Sequence, residues 1–275
     1  MKDILVHVDA SRRAAARVEL AIGLARRFGA HLAGLHVVPP PFVPMMTHAP
    51  IPPEVVEEQI ALFNAQADKA EALFRAAADK AGLAAEWRRA EGFPTETAIL
   101  HARHAGLAIV GQNDPDDPGT TPSDFADRLA LGAGGPVLVV PRKGGFADAG
   151  QRVVVAWNAS REAKRALDDA MPLLAAARAV TVLAIKPRSG GRRHGDVPGA
   201  DIALYLARHG VKAEAAEAWG EDAGVPDLLL ARAAELGADL IVMGAYGNPR
   251  LLELVMGGAT RAVLDRAAVP VLLSH

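Results

Sequence analysis

Short, mainly apolar runs alternate along this chain with longer stretches in which alanine and leucine recur among charged residues. Residues 4–8 open with an apolar run, residues 11–28 follow as an alanine-rich amphipathic stretch, and residues 31–38 form a second apolar run closed by Pro39. Runs of four to eight β-branched and aliphatic residues bounded by proline or glycine read as strands, and the 3.6-period stretches between them read as helices. Residues 107–111 and 136–140 are apolar throughout, the pattern of strands buried on both faces. Residues 84–90 give a weaker strand, and 54–82 and 94–104 give helices.

The same sequence of elements then begins again. Ile4 to Ser11 recurs at Val153 to Ser160, with Asp9 opposite Asn158, and a helical pattern over 160–177 follows as it did over 11–28. Ser11 and Ser160 are the expected N-caps. The run 31–38 is matched by 180–187, 107–111 by 240–244 and 136–140 by 270–274; a weaker strand at 211–219 and helices at 201–209 and 226–236 complete the second copy. Each half reads β-α-β-α-β-α-β-α-β, which predicts an α/β chain of two tandem doubly wound, parallel five-stranded Rossmann-like sheets with right-handed crossovers. Arg142 to Gly150, rich in glycine and charge, is the expected linker, giving domains 1–145 and 146–275. The last strand of each half would leave an apolar edge, so 136–140 and 270–274 are expected to pair in an intramolecular pseudo-dimer.

Composition narrows the function classes. With 275 residues, 51% of them hydrophobic, and a net charge of −2, the chain can build two cores and carries no basic excess that would favour nucleic acid. It has no cysteine, which excludes disulfides and thiol chemistry. The opening apolar run is too short for a signal peptide, and prolines interrupt the longest uncharged stretch, 28–53; the expectation is a soluble, cytoplasmic protein with no membrane span. The proline-rich segment 39–53 reads as a stiff loop packed on its own domain.

The segment that bears chemistry is Gly244-Ala-Tyr-Gly247, nine residues, then Gly257-Gly258-Ala259-Thr260, lying after a buried strand and running into the last helix. Glycines at a strand end let an anion approach main-chain N–H groups, and unpaired N–H groups at a helix start favour phosphate. This G-x2-G-x9-G pattern resembles the ATP-binding signature of the universal stress protein family. The resemblance extends over both halves, through Asp9-Ala-Ser, Leu35-His-Val and the terminal Pro-Val-Leu strands. It implies an adenine nucleotide alpha hydrolase-like fold and an adenine-nucleotide partner. Carried over residue by residue, the binding positions are Trp157, Asn158, Ile185, Met243, Gly244, Gly247, Gly257, Gly258, Ala259 and Thr260.

Two positions depart from that family pattern: Asn158 stands where an aspartate is usual, and Gly258 where a serine is usual. The first half departs more. It keeps Asp9, but no second glycine follows Gly111 at the required spacing, and Ser123 and Asp124 face Gly257 and Gly258. With Asp114, Asp116 and Asp117 nearby, a polyphosphate would meet like charge there. These aspartates read as solvated turn residues rather than a Mg²⁺ site. His101 and His104 share a helix face without a third ligand and read as cations near a helix C-terminus. Neither GxxxxGK, GxGxxG nor HExxH occurs, and the glycine signature offers no evident general base, Glu253 being its sole acid.

These features lead to a cytoplasmic stress-response protein that binds ATP, with or without Mg²⁺, in its second half and acts as sensor or regulator, with no catalytic residue assigned and no cofactor needed for folding. Two alternatives stand beside it: a slow Mg-dependent ATPase, and a nucleotide-free scaffold for an unknown protein partner. Further association as a homodimer is compatible with either.

Overall fold

The computed structural model describes residues 1–41, 52–187, 199–220, 224–245 and 258–275. In the first half β1 (Asp3–His7), α1 (Ala14–Phe28), β2 (His31–Val38), α2 (Pro53–Lys80), β3 (Ala85–Glu91), α3 (Pro94–Ala102), β4 (Leu107–Gly111), α4 (Phe125–Gly132) and β5 (Val137–Val140) alternate as expected. The second half repeats them as β6 (Arg152–Trp157), α5 (Arg161–Asp169), α6 (Met171–Ala176), β7 (Ala179–Pro187), α7 (Ala200–Arg208), β8 (Ala213–Gly220), α8 (Val225–Glu235), β9 (Leu240–Gly244), α9 (Gly258–Arg266) and β10 (Val271–Ser274). The expected single helix over 160–177 is two. Pro172 lacks the N–H that would continue the helix, so the chain breaks at Ala170 and restarts with proline in its first turn.

The strands form one ten-stranded sheet in the order β3-β2-β1-β4-β5-β10-β9-β6-β7-β8. Every pairing within a half is parallel, and the halves meet antiparallel at the centre, where Val139, Leu138 and Val137 oppose Val271, Leu272 and Leu273. The apolar edges thus pair as the pseudo-dimer reading requires. Central strands 107–111 and 240–244 are buried by helices on both faces, while the outer strands β3 and β8 interleave charge with alanine, which discourages further edge pairing.

The two faces of the sheet carry two continuous cores. One contains Ile4, Val6, Leu32 and Phe74 with Val153, Val155, Val182 and Leu206; the other contains Leu5, Leu35, Phe125 and Leu129 with Val154, Leu183, Ile241 and Val263. Both run through the β5–β10 junction, so the halves share cores as well as hydrogen bonds. Gln112 adds a polar tie: its buried side chain donates to the Leu264 carbonyl of α9 at 2.6 Å and accepts from the Arg142 N–H at 2.8 Å. Among the described residues no helix is long and apolar enough to cross a membrane.

Candidate functional site

In open parallel sheets ligands approach the carboxyl ends of the strands, where the order reverses. In the second half this is where β6 and β9 end side by side. Trp157 closes β6, Asn158 follows it exposed, Met243 and Gly244 end β9, and Ile185 lies near the end of β7. Gly258, Ala259 and Thr260 form the first turn of α9, with Thr260 buried. The structure therefore brings the described candidate residues to one end of the sheet. Gly247 and Gly257, together with Arg250 and Glu253, lie outside the described residues, as do 42–51 of the proline-rich segment.

Local chemistry explains the turn after β6. Asn158 Oδ1 accepts the Ser160 N–H at 3.0 Å, and Ser160 Oγ accepts from the Ala163 N–H at 3.1 Å, capping α5 as expected. Between them Ala159 adopts φ +58°, a left-handed conformation that costs an L-residue roughly 1–2 kcal/mol. The early start of α5 drives its first turn against β9: a Cβ on Gly244 would lie 2.5 Å from Ala163 N and Glu162 C, so only glycine permits this approach. Glu162 is a residue that the motif did not reveal. It is buried beside Gly244, with Arg161 Nε 2.5 Å from its carboxylate. Burial opposes its charge, but the bonds from Arg161, a backbone N–H and Ser160 hold it below the usual range. Its place in the first turn after an N-cap serine was the available signal.

The first half fills the corresponding space with its own side chains. Pairing of His7 with Leu35 and of Ala156 with Leu183 sets the register of the two halves, so that His7, Arg17 and His36 stand where the second half has Ala156, Ala166 and Ala184. Arg17 is 1% exposed; its Nη2 lies 2.6 Å from Asp9 Oδ1 and its Nε donates to the His7 carbonyl at 2.7 Å. A Cβ on Gly111 would lie 2.0 Å from Arg17 Nη1, so this glycine makes room for the guanidinium rather than for a ligand. Burial works against the Asp9 charge, yet Arg17, His7 and the Ser11 hydrogen bond lower its pKa. Desolvation takes His7 down to about 4, and also lowers His36, whose Nδ1–H donates to the Val8 carbonyl at 2.6 Å.

Two sequence expectations change here. Ser11 is not an N-cap: its hydroxyl and N–H both bond Asp9, and α1 starts later, after Arg13, without a side-chain cap. Asp117 is not a solvated turn residue. It is 4% exposed, its Oδ2 accepts the Arg12 N–H at 2.7 Å, and its Oδ1 accepts the Gly119 N–H at 3.1 Å. A Cβ on Gly119 would strike the Ala10 carbonyl at 2.3 Å, so glycine lets the loop after β4 lie flat across the β1–α1 turn. A carboxylate of the chain itself thus takes an amide of the turn that leads into α1. Among the described residues no group of three or more histidines and acids could hold a metal ion, and His104 instead bonds the Leu100 carbonyl of its own helix.

Fold and site define a tandem doubly wound α/β protein in which one strand-end corner is filled by a buried ion pair and histidines and the other has alanines at the matching positions. The chain belongs to the universal stress protein family, whose model matches residues 1–141 and again 150–275. Among solved structures it is similar to a universal stress protein from Archaeoglobus fulgidus, at 17% identity and a TM-score of 0.76, covering 99% of this chain and 96% of that one. A putative universal stress protein from Pseudomonas aeruginosa aligns at 20% identity and a TM-score of 0.60, covering 100% and 93%. At these identities the likeness speaks for the fold. No curated protein matches the chain.

Proposed function

We propose that this stress protein binds an adenine nucleotide, ATP above all, in its second half and acts as a cytoplasmic sensor or regulator. The observation that carries the reading is the contrast between sites: where His7, Arg17 and His36 crowd the first, the second has the small residues Ala156, Ala166 and Ala184 at the matching positions, beside a glycine strand end and the first turn of α9. Helix-start N–H groups and the Thr260 turn suit phosphate, and Trp157 and Ile185 suit a flat base. Arg161, exposed over Glu162, offsets the buried Glu162 carboxylate. The competing reading, a nucleotide-free scaffold, is favoured by the Asn158 turn, whose amide oxygen is already engaged by Ser160.

Native mass spectrometry of freshly purified protein, followed by calorimetric titration with ATP, tests the reading. A co-purified nucleotide or saturable heat supports it; no nucleotide and no heat at millimolar ATP would sink it. Gly258→Asp sharpens the test, because a side chain there meets open space and an acid at a helix start is stabilising, while its charge repels phosphate. Binding should weaken at least about tenfold with no fall in the melting temperature.

A further inference from the structure

The opposite end of the second half holds a cleft of about 500 Å³, lined among others by Arg152, Arg178, Thr181, Lys212, Glu214 and Leu236. Strand register explains how these side chains come together. Arg152 pairs with Ala179, and Val154 pairs with Thr181, which pairs with Glu214, giving a same-face row Val154–Thr181–Glu214; one step back along the face stand Arg152, Ala179 and Lys212, the last just before β8, whose Ala213 pairs with Val180. Two cations thus flank an alanine across two strand spacings, about 10 Å. The next row presents a hydroxyl and a carboxylate. Arg178 rises from the turn before β7, and Leu236 and Ala238, which follow α8, form the far wall.

The cations are unengaged in a molecule where arginines are mostly paired. None of Arg152, Arg178 and Lys212 has a side-chain hydrogen bond or ion pair among the described residues, whereas Arg27, Arg75, Arg88, Arg89, Arg128 and Arg165 all do. The internal repeat supplies a control. At the same rows of the first half stand Asp3, His31 and Ala84, then Leu5, Ala33 and Glu86. There His31 occupies the place of Ala179 and lies 3.7 Å from Glu86, which also takes Arg88. One scaffold carries an acid and a closed His–Glu–Arg cluster in the first half, and open cationic flanks around a small residue in the second.

We infer that this cleft is a second ligand site, separate from the strand-end site by the length of β6, about 20 Å. Its ligand class is a phosphorylated small polyol: Arg152, Arg178 and Lys212 hold the phosphate, Glu214 accepts from ligand hydroxyls, and Thr181 bonds either way. Glucose 6-phosphate is the probe, with inorganic phosphate and glucose as its parts. In amide NMR titrations of the full chain, glucose 6-phosphate should saturably shift Thr181, Glu214 and Leu236, more tightly than either part. The double variant Arg152→Ala/Lys212→Ala, which removes exposed side chains only, should weaken this at least about tenfold without altering the melting temperature. Thr181→Val should weaken the sugar phosphate more than inorganic phosphate. Three results would overturn the site: no saturable shift at millimolar probe, shifts reproduced by sodium chloride at equal ionic strength, or affinity unchanged in the double variant. Adenine nucleotide binding at the other end is read independently, so failure there leaves these outcomes intact.

Discussion

The two halves of this chain repeat one topology, strand for strand, yet treat the same buried corner in opposite ways. In the first, Asp9 and Arg17 form an ion pair out of water, two histidines sit beside it, and Asp117 accepts the Arg12 N–H in the turn before α1. In the second, alanines stand at three of those positions, α5 starts earlier, and its first turn closes on Gly244. A duplicated fold can therefore keep its backbone while one copy fills with internal polar contacts a corner that the other builds from alanines. What such a replacement costs follows from elementary electrostatics: a buried charge is tolerated only while its partner is present.

That dependence gives the largest expected effect. Arg17→Ala leaves the Asp9 carboxylate buried and unpaired, and should destabilise by about 3–5 kcal/mol in urea unfolding. Adding Asp9→Asn copies the Asn158 and Ala166 pair of the second half and should recover a large part of the loss. A double variant no more stable than Arg17→Ala would break the equivalence drawn between the two corners.

The histidines supply the next effect. His7 has its pKa lowered from 6.5 to about 4 because it is buried, with Asp9 opposing and Arg17 and His36 reinforcing the shift, and with the Phe125 ring 4.9 Å away. Between those values the unfolded chain binds a proton that the native state does not. Stability contributed by His7 is therefore full above pH 6.5 and falls as pH drops toward 4, by about 3 kcal/mol in all. His36, lowered in the same direction, adds to the slope; Asp9, lowered below the usual carboxylate range, acts only at more acid pH. His7→Ala, which copies Ala156, should flatten the decline between pH 6.5 and 4 even if it is weaker at neutrality. An unchanged slope would remove His7 from the account.

How much of this was legible beforehand depends on the range of the signal. Apolar runs and the repeat of 4–11 at 153–160 are local and periodic, so they gave the element order, the parallel sheets and the central β5–β10 pairing. Glycine spacing likewise marked the β9 end and the α9 start. The filling of the first corner was not legible, because it depends on Arg17, seen in sequence as one more charge on an amphipathic helix, reaching across to Asp9 and Gly111. Asp117 was misread for a related reason. Aspartate in a Pro- and Gly-rich loop is ordinarily solvated, and its contact with the Arg12 N–H joins residues 105 apart. Both misses are contacts between different elements, made by side chains whose type alone suggests exposure.

The smallest effect separates the two β–α turns themselves. Ala159 sits at φ +58°, whereas Ala10, its counterpart, is not among the left-handed residues. Ala159→Gly removes a strain of roughly 1–2 kcal/mol but adds the extra chain entropy of glycine, about 0.5–1 kcal/mol, so a net gain of about 0.5 kcal/mol is expected. Ala10→Gly has no strain to release and should cost about 0.5–1 kcal/mol. Opposite signs from one substitution at equivalent positions would tie the early start of α5, and with it the close seat on Gly244, to a backbone held under tension. Equal signs would mean that the two turns differ in shape alone, and that the contrast between the two corners rests on the alanines of the second half rather than on the path of its main chain.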